Sequence, residues 1–333
     1  MMKKVIYFGY YLRHLDIKKL SQFLNYAHRV SGRTRLFLLF KSIRSVFVHN
    51  ISILEYFQFR FFELPEQERR KWAGTGYMFE YQKKMNPTGV RNVLENKIAF
   101  NKHFKAYFGR EFASLEEIIA KPDIAEKIIS NPSGKVVLKN SMGQAGKEIR
   151  VVNSKDLSSS SLVGIMKAGR YDLSEEYIVQ HPDLMKLSPS GLNTVRIITQ
   201  EADGKIDIIA ARLRITINSV VDNLAAGNAA APVDIESGEV MGPAVFSDIW
   251  KEDITVHPVT GSNIQGFRVP FWNEILEMVK DAALMVPQNR SIGWDIALNS
   301  SGPLLVEGNH NWCKLLWQLP VKRGLKEDLL KYC

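Results

Sequence analysis

The chain is poor in cysteine, has no long apolar run, and carries almost no acid in its first fifty residues. Two cysteines, Cys313 and Cys333, stand in 333 residues. That excludes a disulfide framework and a cysteine-built zinc site, and it fits a reducing, cytoplasmic setting. No apolar stretch reaches the roughly 18 residues that a membrane-crossing helix needs, so none is expected. The opening Met-Met-Lys-Lys-Val-Ile-Tyr is basic, but it has no sustained apolar core and no small-residue cleavage site, so it is a poor signal peptide. RNP, zinc-finger and helix-turn-helix signatures are absent, and nucleic acid is not an expected partner.

The missing acids leave charge unevenly placed. Residues 1–50 hold ten Lys/Arg against the single acid Asp16, which is +9, and the remainder holds 34 of each sign. The whole net charge therefore sits in the first fifty residues. One reading is a solvated helix face. The other is a basic surface that meets an anionic membrane, a polyanion or polysaccharide machinery. Tyr7, Tyr10, Tyr11, Leu15, Leu20, Phe23 and Leu24 lie among the bases, which favours an amphipathic surface over a free tail.

Texture marks a helical basic region over 1–85 and a change to strands beyond about residue 134. Pro65 with acids just after it marks a helix start. Phe100, Phe104 and Phe108 have the spacing of one helix face, and Ser114-Leu-Glu-Glu117 is a capping-box pattern for a helix to about Ala120. Asn131-Pro-Ser-Gly134 breaks the chain. Beyond it, Val136–Leu138, Ile149–Val152, Thr194–Thr199 and Ile206–Leu213 are short and β-branched, as strands are. Ser158–Ser161 reads as a polar loop and Phe271–Met285 as a helix. The fold class is α+β.

The segment from Ser291 to Asn309 reads as two apolar strands joined by Asn-Ser-Ser-Gly. Asp295 interrupts the first strand, and Glu307 and Asn309 end the second. Oxygens on apolar strands are costly unless something pairs with them. Three hard oxygen donors on adjacent strands suit Mg²⁺, which in such sites usually accompanies a substrate phosphate. Glu307 and Asn309 share a face. For Asp295 to join them, it must pair with Glu307, which takes an odd-numbered loop or a bulge. A plain four-residue loop at 299–302 would pair Asp295 with Val306 and point it away.

A phosphate site also needs a grip. Gly134 to Val152 reads as strand, Gly-containing turn, strand, with Lys139 ending the first strand and Lys147 opening the second. Gly143 and Gly146 let backbone N–H groups approach an anion. It is no Walker loop, because Glu148 follows the lysine where that motif has Ser/Thr. Alone, such a hairpin is as well read as a surface turn.

In combination, the order of these parts is that of the ATP-grasp superfamily. Further segments sharpen the resemblance: Glu175-Glu-Tyr-Ile-Val-Gln-His-Pro-Asp-Leu184, Leu192-Asn-Thr-Val-Arg-Ile-Ile-Thr199, Arg212-Leu-Arg214, Val221-Asp-Asn223 and Gly238. So do His257-Pro-Val-Thr-Gly261, Phe267-Arg-Val-Pro-Phe-Trp272 and Gly293-Trp-Asp295. From about Leu64 to Asn311 the chain resembles the sugar-transfer-associated ATP-grasp family found in polysaccharide-biosynthesis clusters.

The resemblance implies two α+β lobes closing on ATP, one over 86–175 and the other over 176–333. Lys139 would contact the adenine side and α-phosphate, the Gly143–Lys147 turn would cover the phosphates, and Lys97 would assist unless it is a solvated helix residue. Glu175, Glu176, Tyr177 and Ile178 would form the adenine hinge, with the choice of ribose-holding carboxylate open between the two glutamates. Asp295, Glu307 and Asn309 would hold Mg²⁺. Arg196, buried in an apolar strand, reads as a salt bridge or as a stabiliser of transferring phosphate. Arg212 and Lys147 would join it as catalytic groups. Asn193, Arg214, Asp222 and Asn223 would lie near substrate, although Asn228 stands where the family usually has a second glycine. The lone histidines read as structural, and Cys313, near the site but without a paired base, is not read as a nucleophile.

The expected activity is an ATP-dependent carboxylate–amine ligation through an acyl phosphate, on a sugar or amino acid in capsule or surface-polysaccharide assembly. A kinase that stops at phosphoryl transfer is the nearest alternative. A nucleotide-binding scaffold for a glycosyltransferase complex is the other.

Overall fold

A computed structural model describes residues 2–143, 149–219 and 222–333. Gly146, Lys147 and Val221, named above, lie outside the described residues.

Three helices open the chain: α1 (Met2–Arg13), α2 (Ile17–Ser31) and α3 (Arg35–His49). Each boundary has a local cause. The Asp16 side chain accepts from Lys19 N at the start of α2, Gly32 ends it at φ 69°, and Thr34 caps α3. Ser52 and Glu55 form a full capping box on the next helix, Ile53–Gln58. Tyr11, Leu20, Phe23 and Leu38 are buried with Tyr56, Phe57 and Phe61 in one aromatic-rich core, and Tyr7, Leu15 and Leu24 pack against it. Most of the apolar residues expected to form a docking surface therefore face inward.

Among the described residues, nine strands make two antiparallel sheets: β1 (Phe112–Ser114), β2 (Lys135–Lys139), β3 (Ile149–Asn153), β4 (Leu173–Glu176), β5 (Thr194–Ala202), β6 (Lys205–Ile215), β7 (Ala229–Val233), β8 (Ser291–Asn299) and β9 (Gly302–Asn309). The small sheet has the order β1-β4-β2-β3 and the large one β7-β6-β5-β8-β9. Pro232 and Pro303 fall on β7 and β9, the two edges of the large sheet, where a missing N–H costs no central ladder bond.

Helix Trp272–Leu284 covers one face of the large sheet with Ile275, Val279 and Ala282, against Val195, Ile197 and Leu213. Met78, Tyr81, Trp312 and Trp317 cover part of the other face, over Ile198 and Ala210. The small sheet has its own core of Val136, Leu138, Ile118, Ile128 and Leu162.

Two local expectations change. The Phe100–Phe108 segment is not one helix. Asn96 caps Lys97–His103, and Phe104 breaks it before Lys105–Phe108. All three rings are nonetheless buried, and Phe100 and Phe104 pack in the large-sheet core. Ser158–Ser161 is no loop either: it forms a capping box that starts helix Ser159–Gly169.

The β8–β9 hairpin closes on a two-residue turn, with Asn299 opposite Gly302. Its register would set Asp295 against Val306, but a bulge between Asp295 and Ile296 shifts it by one residue. Asp295 then pairs with Glu307.

Candidate active site

A cavity of about 620 Å³ lies between the two sheets. Lys135, Val137 and Lys139 alternate out of the small-sheet core and line it, together with Ile149 and Val151 of β3. Ile149 and Val151 are 43% and 48% exposed, so the flap carries an uncovered apolar wall. Tyr177, Ile178 and Leu192 continue that wall. Thr194, Arg214, Asp295 and Glu307 line the large-sheet side.

Glu175 sits under the small sheet with almost no exposure. It accepts from Lys139 Nζ at 2.7 Å, Arg110 Nη2 at 3.0 Å and Asn101 Nδ2 at 3.0 Å. Burial pushes its pKa up, but Lys139 and Arg110 outweigh that and hold it at about 2. Glu175 therefore orients the lysine, with its oxygens already engaged. Glu176 is less buried and lines the cavity, which leaves it the freer carboxylate of the pair. Lys97 also lines the cavity and reaches the Gly143 carbonyl through Nζ. Burial lowers its pKa, against the pull of Glu307.

The opposite wall is a network of charges. Arg196 forks onto Asp295, with Nε to Oδ1 at 2.6 Å and Nη2 to Oδ2 at 2.8 Å. Arg214 bridges Asp295 Oδ2 at 2.7 Å and Asp222 Oδ1 at 2.6 Å. Thr194 donates its hydroxyl to Asp222. Burial would raise the pKa of Asp295, but the two guanidinium groups hold it well below the carboxylate range. Glu307 has no ion-pair partner among the described residues: burial and the charge of Asp295 raise its pKa, against the pull of Arg196. Asn309 Nδ2 lies 3.2 Å from Glu307 Oε1.

Two carboxylates and a carboxamide thus stand side by side, and Glu307 makes no direct ion pair among the described residues, although Arg196, Arg214 and Lys97 act on it through space. That donor set fits a hard divalent ion. Among the described residues, no group of three or more His, Cys, Asp or Glu side chains could hold a metal, and the set here is two carboxylates and the Asn309 amide.

Several expected site residues lie elsewhere. Arg196 is behind Asp295, not on the cavity wall. Arg212 turns away: its Nε and Nη2 donate to the Trp317 carbonyl at 3.1 and 2.5 Å, which caps the end of helix Lys314–Gln318. Burial lowers its pKa to about 10. Asn193 is fully buried and braces the loop before β5, donating to Ser188 O at 2.8 Å and accepting from Thr216 N at 2.9 Å. Ser190, Gly191 and Leu192 of that loop line the cavity. Asp222 and Asn223 line it too. Asn228 stiffens their loop, accepting from Ile217 N at 2.8 Å and donating to Asn223 O at 3.2 Å, so it replaces glycine's freedom with a side-chain brace.

The histidines are used structurally. His257 Nε2 meets Thr216 O at 3.0 Å, and His310 pairs with Glu95 at 3.0 Å. Arg110, Asn101 and Thr194 were not among the expected residues. Arg110 reaches Glu175 because β1 pairs with β4, Asn101 reaches it from helix Lys97–His103, and Thr194 of β5 meets Asp222 of the loop after β6.

A family model described as sugar-transfer associated ATP-grasp matches residues 77–333. Among solved structures, the chain is similar to a biotin carboxylase–β,γ-ATP complex from Campylobacter jejuni: 13% identity, 69% of this chain, 43% of that chain, TM-score 0.44. It is also similar to D-alanyl-alanine synthetase A from Vibrio cholerae O1 biovar eltor, at 11% identity over 66% of this chain and 56% of that one, TM-score 0.38. A third is a RimK-domain ATP-grasp protein from Sphaerobacter thermophilus, at 14% identity over 72% and 69% of the two chains, TM-score 0.37. The chain spans between 41% and 56% of the first four matched structures. No curated protein matches it.

Proposed function

The chain belongs to the sugar-transfer associated ATP-grasp family, and from that premise we propose that it is an ATP-dependent carboxylate–amine ligase. The observation that carries this reading is the cavity itself. It sets an apolar slot under the flap and cations at its floor, with the Asp295–Glu307 pair facing them. Val137, Ile149, Val151 and Ile178 suit the faces of adenine, and Glu176 suits a ribose hydroxyl. Lys97, Lys139 and Arg214 suit phosphate oxygens, being donors already held in place. Gly143, Gly146 and Lys147 would close over the same oxygens.

Glu307 and Asn309 would hold Mg²⁺, with Asp295 contributing its remaining lone pairs. When bound, the ion neutralises phosphate charge. A substrate carboxylate attacks the γ-phosphorus of ATP. A C–O–P link forms, and the bridging P–O bond to ADP breaks. An amine then attacks the acyl carbon, loses its proton and expels phosphate. Arg214, Asp222, Asn223 and the Ser190–Leu192 loop would line the substrate end. No nucleophile from the chain is required, and Cys313 is exposed and stands apart from the cavity. A sugar or amino acid in surface-polysaccharide assembly is the proposed substrate class, and the cytoplasm, at the inner face of a membrane, the proposed place.

The test is an ADP-release screen with ATP and Mg²⁺ over amino acids, uronic acids and nucleotide sugars, with mass spectrometry of products. An amide supports the reading, and Glu307→Gln should lower turnover by roughly a hundredfold or more. A stable phosphate ester would make the protein a kinase, and no turnover with any pair would sink the enzyme reading.

A further inference from the structure

The apolar residues of α1 and α3 divide into two sets. One set fills the helical core. The other points outward. On α3, Leu36, Phe40 and Phe47 are 80%, 62% and 36% exposed. Together with Arg44 they fall at i, i+4, i+8 and i+11, one stripe of a helix. Phe37 and Val48 flank the stripe, also exposed. On α1, Val5, Ile6, Tyr10 and Leu12 are exposed on the outer side. The two helices lie side by side: the Phe8 and Phe47 rings are 5.3 Å apart, and Lys4 Nζ donates to Phe47 O at 2.6 Å. The outer faces therefore adjoin.

Bases edge this surface. Arg33 and Lys41 lie over the Phe37 ring at 5.6 and 5.2 Å. A shallow hollow opens between Arg33, Phe37, Lys41 and Arg69. A deeper cavity of about 430 Å³ is walled by Lys4, Val48, Arg69, Arg70 and Lys326, so Arg69 lines both. In this cavity's lining, Asn50 Oδ1 and Arg69 Nε have no hydrogen-bond partner among the described residues. The acids nearby are already engaged. Asp16 caps α2, Glu66 pairs with His49, Arg69 and Arg70, and Glu80 pairs with Lys3.

We infer that the joined outer faces of α1 and α3 rest in the plane of an anionic bilayer. The apolar stripe enters the headgroup–acyl boundary, and the flanking hollows receive anionic headgroups. Charge decides the occupant. A second copy of this chain would bring the same basic surface against itself, whereas an anionic leaflet is complementary to it. Aromatic and aliphatic side chains ringed by Lys and Arg are what an interfacial helix carries. The apolar faces of α1 and α3 lie outside residues 77–333, the part matched to the family, and only Tyr77 and Lys326 of the deeper cavity fall within it. The bilayer face therefore stands independently of the ligase reading.

The test is co-sedimentation of the full chain with vesicles of phosphatidylcholine alone and of phosphatidylcholine with phosphatidylglycerol, at low and high salt. Binding to the anionic vesicles, weakened by salt, is expected. Phe40→Ser with Phe47→Ser, and separately Arg33→Glu with Arg44→Glu, should each reduce partitioning by roughly tenfold or more while circular dichroism is unchanged. Phe40, Arg33 and Arg44 are solvent-exposed, whereas Phe47 also packs against Phe8, so the arginine pair is the variant that leaves the α1–α3 contact in place. Equal binding to neutral vesicles, or binding that neither double variant alters, would overturn the inference. So would a concentration-dependent dimer that leaves the vesicles unbound.

Discussion

Glu175 shows how one buried side chain ties stability to pH. Its pKa is about 2 in the fold against an ordinary 4.5. A carboxylate with a depressed folded pKa stabilises fully above its unfolded value. That stabilisation fades as pH falls from about 4.5 toward 2. The contribution is on the order of 3 kcal/mol. Glu175→Gln should be less stable than the parent near neutral pH, and the difference should shrink through this window in urea titrations. A difference that stays constant from neutral to acid would show that the carboxylate's charge is irrelevant. The sequence exposed the glutamate but not its partners. Arg110 follows three phenylalanines with no motif around it, and it reaches Glu175 because β1 pairs with β4. Arg212 misled for the same reason. An arginine in an apolar strand needs a partner, but the sequence does not say whether that partner is a ligand or the Trp317 carbonyl.

Among elements, the β8–β9 hairpin was the most legible, because parity alone posed the question and a single bulge answers it. Legible, too, were the Ser114 capping box and most strands, whose signals are local. The break at Phe104 and the helix after Ser158 were not, since both depend on what the neighbouring chain packs against. Gly293 of β8 has a reason that only packing reveals. A Cβ there would stand 2.6 Å from Trp312 Cβ and 3.2 Å from Arg196 Cδ. Gly293→Ala should therefore displace the Trp312 ring or the Arg196 fork. It should cost about 1–3 kcal/mol in denaturant unfolding. An unchanged midpoint would mean that the C-terminal tryptophans yield without strain.

At the scale of the molecule, the helical region is fastened to the sheets by a buried ion pair. Glu55 closes its capping box, accepts from Thr75 N at 3.0 Å and meets Lys314 Nζ at 3.0 Å. Burial opposes both charges, yet each keeps the other ionised. Lys314→Ala should destabilise by about 3 kcal/mol, because it strands a carboxylate in the interior. Lys314→Met with Glu55→Gln should recover much of that loss, and a double-mutant cycle by thermal unfolding reads the coupling. Strictly additive losses would mean that the pair contributes nothing as a pair. The same contact joins the helix that follows α3 to the segment that follows β9.

The order of strands in the large sheet also has a consequence during synthesis. β5 carries Arg196, and its neighbour β8 carries the Asp295 that neutralises it, with all of β6, β7 and helix Trp272–Leu284 translated in between. At roughly 5–20 residues per second, the ribosome takes several seconds to cover that distance. Until β8 emerges, the nascent β5–β6 hairpin has an open edge and an unpaired guanidinium that favours water over burial. The charge network that defines the cavity thus also delays closure of the sheet, and in that interval the growing chain exposes a strand edge to chaperones.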